Sequence, residues 1–205
     1  MTNDYVRPYV LWEVTRILLE ADEPTLAIHA GSVALDGRAI VIAGVSHAGK
    51  STLSGWLVAH GWGFLTDEVS RLEQSGEGWR VHPFPRPIGV RRPTPLEPFV
   101  QPEFGEATEI LVPASTLGTL SGVADLTAIV LPERRPGASS TPTPAHPATA
   151  VRLLAEHLPK RASDGRAGFR TLVDLMQSVP VYSLHVDNLG AAERALRELV
   201  AGDVS

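Results

Sequence analysis

One segment of the sequence constrains the fold more than any other, the run IVIAGVSHAGKSTLSGWL at residues 40–57. Its first residues are apolar and are typical of a strand that is buried on both faces. Glycines, a lysine and two hydroxyl residues follow. From Lys50 onwards the apolar residues recur with helical spacing, and Gly61 is suited to end the helix. A strand, a glycine-rich turn and a helix in this order predict an α/β architecture built around the turn.

The turn has the pattern G-x-x-x-x-G-K-[ST] from Gly44 to Ser51. Its glycines let the backbone approach a phosphate, its successive N–H groups point inward, and the helix that follows adds its positive end. We therefore predict a nucleotide site for ATP or GTP, with Lys50 at the β- and γ-phosphates and Ser51 suited to Mg²⁺. His47 is expected to contribute only its backbone. The predicted nucleotide contacts are Gly44, Val45, Ser46, His47, Ala48, Gly49, Lys50, Ser51 and Thr52.

The rest of the chain predicts a mixed α/β sheet with flanking helices rather than an all-parallel sheet, because hairpin signals come early. Asp36-Gly37 is a tight-turn signal between two strand-like runs. The proline-rich residues 83–102 exclude a central strand or a long helix. Further strands are predicted in 63–73, 79–84, 125–132 and 180–186, and helices in 7–21, 149–158, 168–179 and 191–202.

Length and composition favour a single domain over residues 1–205. Residues 1–24 are expected to contribute an N-terminal helix. Residues 133–149 are expected to be a mobile loop, because proline, glycine, serine and threonine dominate them.

Charge and hydropathy exclude several classes of protein. The formal net charge of -5 argues against nucleic-acid binding, which usually requires a basic excess. No apolar run approaches the roughly 20 residues that a membrane helix needs, and the N-terminus lacks a basic segment followed by an apolar one. We therefore expect no nucleic-acid partner, no membrane contact and a cytoplasmic location. The sequence has no cysteine, which excludes disulfides and thiolate nucleophiles.

An acidic pair, Asp67 and Glu68, follows the short apolar run GFL and is expected at a strand end near the loop. A carboxylate there could accept a proton from an acceptor hydroxyl, while its neighbour holds Mg²⁺. Two surface acids in a turn would be the alternative. The phosphate-loop pattern upstream favours the functional interpretation.

Phosphoryl transfer also calls for a cation beyond Lys50, since negative charge spreads over the equatorial oxygens. Arg86, Arg91 and Arg134 are the candidate phosphate or acceptor contacts. Proline stiffens the segment around the first two. For any one of these arginines, a solvated surface position remains the simpler interpretation.

Taken in order, these motifs resemble a known family. His29 before the hairpin turn, the phosphate loop, Asp67-Glu68 and the segment FPRPIGVR occur as in the catalytic domain of HPr kinase/phosphorylase and its shorter relatives, the PEP-carboxykinase-like P-loop kinases. The resemblance implies that Asp67 deprotonates a serine-type hydroxyl, that Glu68 lies near Mg²⁺, and that His29 lies close to the carboxylate and the acceptor.

Two departures from the family pattern limit what is carried over. The family usually has a second aspartate where this chain has Glu68, which is one methylene longer. The full-length enzymes also have an N-terminal domain, for which 205 residues are expected to leave no room. Metabolite sensing and phosphorolysis are therefore not carried over. Without the resemblance, His29 would be interpreted as a hydrogen-bonded core residue.

The sequence thus favours an ATP-dependent kinase that transfers the γ-phosphate to a hydroxyl, with a serine of a small protein or peptide as the leading acceptor. A kinase for free serine or another small alcohol is the first alternative. A nucleotide-binding regulatory module without transfer activity is the second. Family members commonly form homo-oligomers, but this sequence does not fix a number of subunits.

Overall fold

The computed structural model describes residues 26–100, 108–158 and 166–202. The helix predicted within 7–21, and with it the N-terminal segment 1–24, lies outside these ranges. The described strands are β1 Leu26–Ile28, β2 Gly31–Leu35, β3 Arg38–Ile42, β4 Gly63–Thr66, β5 Ser70–Ser75, β6 Gly78–His82, β7 Ile88–Arg91, β8 Glu109–Val112, β9 Ala124–Arg134, β10 Thr143–Pro144 and β11 Val181–Val186. The described α-helices are α1 Lys50–Ala59, α2 Pro147–Glu156, α3 Arg166–Ser178 and α4 Leu189–Ala201.

Nine of these strands form one mixed sheet, which confirms the predicted mixed α/β fold. Its main path runs β1-β5-β6-β9-β3-β2-β4, and β11 joins β9 with β10 at its outer side. Strands β3 and β11 both run parallel to β9, whereas the neighbouring hairpins are antiparallel. The remaining two strands, β7 and β8, form a small antiparallel sheet of their own.

Local sequence explains the two hairpins. Asp36 and Gly37 turn β2 into β3 with φ values of 49° and 79°, the left-handed pair that a two-residue turn requires. Strands β5 and β6, which overlap the predicted strand regions 63–73 and 79–84, pair as the second hairpin. The strand-like run that precedes Asp36-Gly37 forms two strands over residues 26–35 rather than one, since the chain leaves β1 at His29 and enters β2 at Gly31.

Two further predicted segments, 83–102 and 133–149, contain short strands. The proline-rich residues 83–102 contain no central strand, as predicted, although β7 pairs with β8 in the small sheet. The loop expected over 133–149 is partly regular structure instead. Glu133 and Arg134 end β9 because they pair with β11, residues 143–144 form β10, and α2 begins at Pro147, a favoured first helical residue.

Both faces of the large sheet are covered. On one face, α1, α4 and the small sheet bury a cluster that includes Ile42, Leu57, Ile88 and Leu196. On the other face, α2 and α3 cover a second cluster that includes Val41, Leu154 and Leu172. Because β3 contributes alternate residues to both clusters, it is the buried central strand that its unbroken apolar sequence predicts. Within the described residues, no helix is both long and apolar enough to cross a membrane.

The packing between the turn at Gly118 and helix α1 yields a stability prediction. A Cβ at Gly118 would lie 2.5 Å from the carbonyl oxygen of Val58, a backbone atom that cannot swing away. We expect Gly118→Ala to lower the free energy of unfolding by about 1–3 kcal/mol, as other overpacked sites do. The measurement is urea unfolding followed by circular dichroism. Gly122→Ala is the control, since a Cβ there meets nothing within 4 Å; equal midpoints for the two variants would contradict the packing argument.

Candidate functional site

The phosphate-loop sequence forms a tight turn between β3 and α1. Its start is fixed on β9, because the Ala43 N–H donates to the Val130 carbonyl at 3.0 Å. His47 and Gly49 both have left-handed backbones, with φ values of 67° and 92°. Left-handed residues in a tight turn are typical of anion-binding concavities, in which successive N–H groups point the same way.

The N-terminus of helix α1 opens into this concavity. Gly49 is the N-cap and has no side chain to accept from the first N–H groups, and the first turn contains no acidic residue. The positive end of the helix is therefore uncompensated by the helix's own side chains, which favours an anion there. The other predicted contacts surround the same turn: Val45, Ser46 and His47 are exposed in the loop, and Ser51 and Thr52 lie half-buried in the first turn of α1.

The Lys50 side chain folds back over the loop. Its Nζ donates to the carbonyl oxygens of Gly44 at 2.8 Å and Val45 at 3.2 Å. An ammonium group has three donors, so a further oxygen can be bound while the amine stays over the turn. Burial lowers the pKa of Lys50, while the nearby carboxylates of Asp67 and Glu68 act in the opposite direction.

Strand pairing brings the acidic pair to the same edge of the sheet. Gly31 pairs with Ile42 at the end of β3, and Ser32 pairs with Thr66 at the end of β4. The loop after β3 and Asp67 after β4 therefore leave the sheet side by side. A Cβ at Gly31 would lie 2.6 Å from the Ser54 hydroxyl and 3.7 Å from Asp67 Oδ1, so glycine makes this close approach possible.

Asp67 is the most perturbed group of the site. It is only 6% exposed. Its Oδ2 accepts from the Gly89 N–H at 3.4 Å, whereas its buried Oδ1 has no hydrogen-bond partner among the described residues. Burial raises the pKa of Asp67 to about 7, although the neighbouring Ser51 hydroxyl favours the charged form. A carboxyl group with a pKa near the operating pH and an unpartnered oxygen can accept a proton efficiently.

Glu68 and His29 form a pair beside Asp67, with 3.4 Å between His29 Nδ1 and Glu68 Oε1. His157 completes the cluster: its carbonyl accepts from the His29 N–H at 2.8 Å, and the two imidazole rings are parallel to within 11° at 6.1 Å between centroids. Burial lowers the pKa of His29, Glu68 opposes this, and Lys50 and His157 reinforce it. His157 was not predicted as a site residue, since it comes from the end of α2 and only the tertiary fold brings it here.

The three predicted arginines occupy different positions. Arg91, at the end of β7, reaches the loop, with its Nη1 at 3.1 Å from His47 Nδ1. Arg86 is half-buried in the segment before β7, and its Nε is buried without a hydrogen-bond partner among the described residues. Arg134 is exposed at the end of β9 and pairs through its backbone register with Val186. Contacts between described residues therefore join only Arg91 of the three to the loop.

The donor set at the loop suits a magnesium ion. The Ser51 hydroxyl lies close enough to the Asp67 carboxylate to influence its ionisation, and the Glu68 carboxylate follows directly. Hydroxyl and carboxylate oxygens are the hard ligands that Mg²⁺ prefers, and an ion that also binds nucleotide phosphates needs only one or two protein carboxylates. In the described ranges, no group of three or more histidine, aspartate or glutamate side chains is arranged to hold a metal.

Comparison with solved structures finds similar folds. No protein-family model and no curated protein matches the sequence. The fold is similar to the HPr(Ser) kinase/phosphatase from Coxiella burnetii, with a TM-score of 0.47 and 15% sequence identity over 84% of this chain and 94% of that chain.

The burial of Asp67 predicts a pH-dependent cost in stability. With a folded pKa of about 7 against 3.8 for the free side chain, the folded protein holds the proton over a range where the unfolded chain has lost it. The stabilisation that the folded protein gains from the protonated Asp67 carboxyl is fully present below pH 3.8 and is lost as the pH rises towards 7. At pH 8, the free energy of unfolding of Asp67→Asn should therefore exceed that of the parent by roughly 2–4 kcal/mol, so that the variant unfolds at higher urea. This difference in free energy should shrink at pH 5.

Urea unfolding at the two pH values makes this measurement. Asp125→Asn is the matched control, because Asp125 is an exposed aspartate at the start of β9, away from the part of β9 that contacts the phosphate loop. A difference between parent and Asp67→Asn that is the same at pH 5 and pH 8 would contradict the raised pKa.

Proposed function

We propose that this protein is an ATP-dependent phosphotransferase that moves the γ-phosphate to a hydroxyl group. One observation carries the proposal: beside the phosphate-loop turn lies the buried Asp67 carboxylate, whose pKa is about 7 and whose Oδ1 has no hydrogen-bond partner in the described part of the chain. Nucleotide binding alone does not require a carboxyl group with a pKa near 7, whereas a general base does. Strained or destabilised groups of this kind are typical of functional sites.

Each residue has a role in the proposed reaction. The loop N–H groups and the N-terminus of α1 bind the phosphates, and Lys50 offsets charge at the β- and γ-phosphates. Asp67 Oδ1 accepts the proton of the acceptor hydroxyl. The hydroxyl oxygen then forms a bond to the γ-phosphorus as the bond to the β-phosphate oxygen breaks, so that ADP leaves with the electron pair.

Ser51 and Glu68 are the residues that would hold Mg²⁺, which supplies neutralisation of phosphate charge when it is bound. His29 is proposed to orient Glu68 through its Nδ1. Because burial lowers the pKa of His29, a neutral imidazole near pH 7 fits this orienting role better than a fixed positive charge does.

The proposed acceptor is a serine of a small protein or peptide, in line with the sequence resemblance. Free serine or another small alcohol remains the alternative acceptor. A homo-oligomer is also proposed, and the phosphate donor is ATP or GTP. A transfer experiment with separate acceptor pools distinguishes the peptide acceptor from the small-molecule acceptor.

Transfer itself is the first functional prediction. Incubation with γ-labelled ATP, Mg²⁺ and separate pools of peptides and hydroxyl metabolites should label one pool, as read by mass spectrometry. Asp67→Asn should lower the transfer rate by about 10²-fold or more, because the base is lost, while ATP still binds. Lys50→Ala should weaken both ATP binding and transfer.

Asp125→Asn serves as the control and should transfer phosphate like the parent, because its carboxylate is exposed and far along β9 from the loop. Label on a metabolite alone would replace the peptide acceptor by a small molecule. Nucleotide binding without transfer to either pool would favour a regulatory module and reject the kinase.

The pH profile is the second functional prediction. Because Asp67 must lose its proton to act as the base, kcat/KM should rise about tenfold per pH unit below pH 7 and level off above it. The measurement is initial rates from pH 5.5 to 8.5 with saturating Mg²⁺. A profile that is flat between pH 5.5 and 7 would exclude Asp67 as the base.

A further inference from the structure

Strand β7 touches both halves of the candidate site. Ile88 and Val90 point into the core beside α1, with 0% and 3% of their surface exposed. Gly89 and Arg91 alternate with them and lie on the opposite, exposed face. The Gly89 N–H donates to Asp67, and the Arg91 guanidinium meets His47 in the loop. One short strand, held by two buried side chains, thus contacts both the proposed base and the phosphate loop.

The contact between Arg91 and His47 fixes the chemistry of the imidazole. A guanidinium has only donors, so Nδ1 of His47 must accept, and the ring proton must lie on Nε2. The two atoms are 3.1 Å apart, which is within normal hydrogen-bond range. His47 therefore offers more than the backbone contribution that the loop motif predicts for it.

The backbone conformation of residue 47 makes it informative that this residue is a histidine. Its φ of 67° is left-handed, a conformation that glycine adopts without cost and that most other residues avoid. A position that only shaped the backbone would be best filled by glycine. Here a histidine carries the strain, and its side chain contacts an arginine that reaches the loop from another sheet.

We propose that His47 is a positioning residue that holds the Arg91 guanidinium over the phosphate loop, where it contacts the γ-phosphate. This inference rests on the proposed function and adds the second cation that phosphoryl transfer requires. Lys50 approaches from within the loop, whereas Arg91 approaches from β7. The buried side chains of Ile88 and Val90 already hold the backbone of β7, so only the Arg91 side chain needs to be oriented. One hydrogen-bond acceptor on the loop is sufficient to orient it.

The contact between Arg91 and His47 is exposed, and this exposure limits its energetic contribution. Exposed polar pairs contribute little to folding, so removal of the imidazole should leave the protein folded. The expected loss is in discrimination between nucleotides that do and do not have a γ-phosphate. A single misplaced exposed cation should change this discrimination by about 3–10-fold.

The experiment compares binding of ADP and of a non-hydrolysable ATP analogue, each with Mg²⁺, by isothermal titration calorimetry. The parent should bind the analogue more tightly than ADP. His47→Gly keeps the left-handed backbone but removes the acceptor, so it should reduce the ratio of the two dissociation constants by about 3–10-fold. His47→Asn tolerates the same backbone and keeps an acceptor, and it should restore most of the ratio.

Arg91→Gln should reduce the ratio as His47→Gly does, and the double variant should lose no more than either single variant, because both remove one interaction. Arg80→Gln, at an exposed arginine paired with Asp125, is the control and should not change the ratio.

A loss of affinity that is equal for ADP and the analogue in His47→Gly would show a backbone role and overturn the inference. So would additive losses in the double variant, or a parent that does not discriminate the γ-phosphate. The proposed kinase fails on a different readout, the absence of transfer, so the two failures are distinguishable.

Discussion

The buried carboxylate of Asp67 is the feature on which the candidate site depends. Its desolvation raises the pKa of Asp67 to about 7, and the same desolvation costs folding energy at neutral pH. The fold sustains this cost because two hydrophobic clusters cover both faces of the sheet. Gly31 lets Ser54 and Asp67 approach closely, and the Gly89 N–H satisfies one of the two carboxylate oxygens.

Strand register then determines what meets that carboxylate. Because β2 is antiparallel to both β3 and β4, the ends of β3 and β4 lie together, and the phosphate loop and the acidic pair emerge side by side. The His29 position, in the break between β1 and β2, is brought to the same edge. A one-residue slip in either pairing would turn the buried faces outward, so the core and the site are specified by the same register.

The local elements were predictable because their signals are local. The central strand β3, the turn at Asp36-Gly37, helix α1 and the hairpin of β5 and β6 follow from apolar period, turn chemistry and capping glycines within a few residues. Prediction of secondary structure from the sequence was less successful where pairing between distant strands overrides the local composition. Residues 133–149 have a loop composition, yet their first two residues extend β9 because β11 offers a partner. The split between β1 and β2 likewise depends on pairing with different strands.

The sequence by itself determined that the chain has a phosphate-loop turn between a buried strand and a helix, and that an acidic pair follows it, because those patterns lie in short, contiguous segments. Only the tertiary structure decided that Asp67 is buried, with one oxygen that has no hydrogen-bond partner among the described residues, that His157 stacks on His29, and that Arg91 reaches His47. These properties depend on burial and on contacts between residues 22 to 128 positions apart, such as Gly89 with Asp67 and His157 with His29, and no local pattern encodes them.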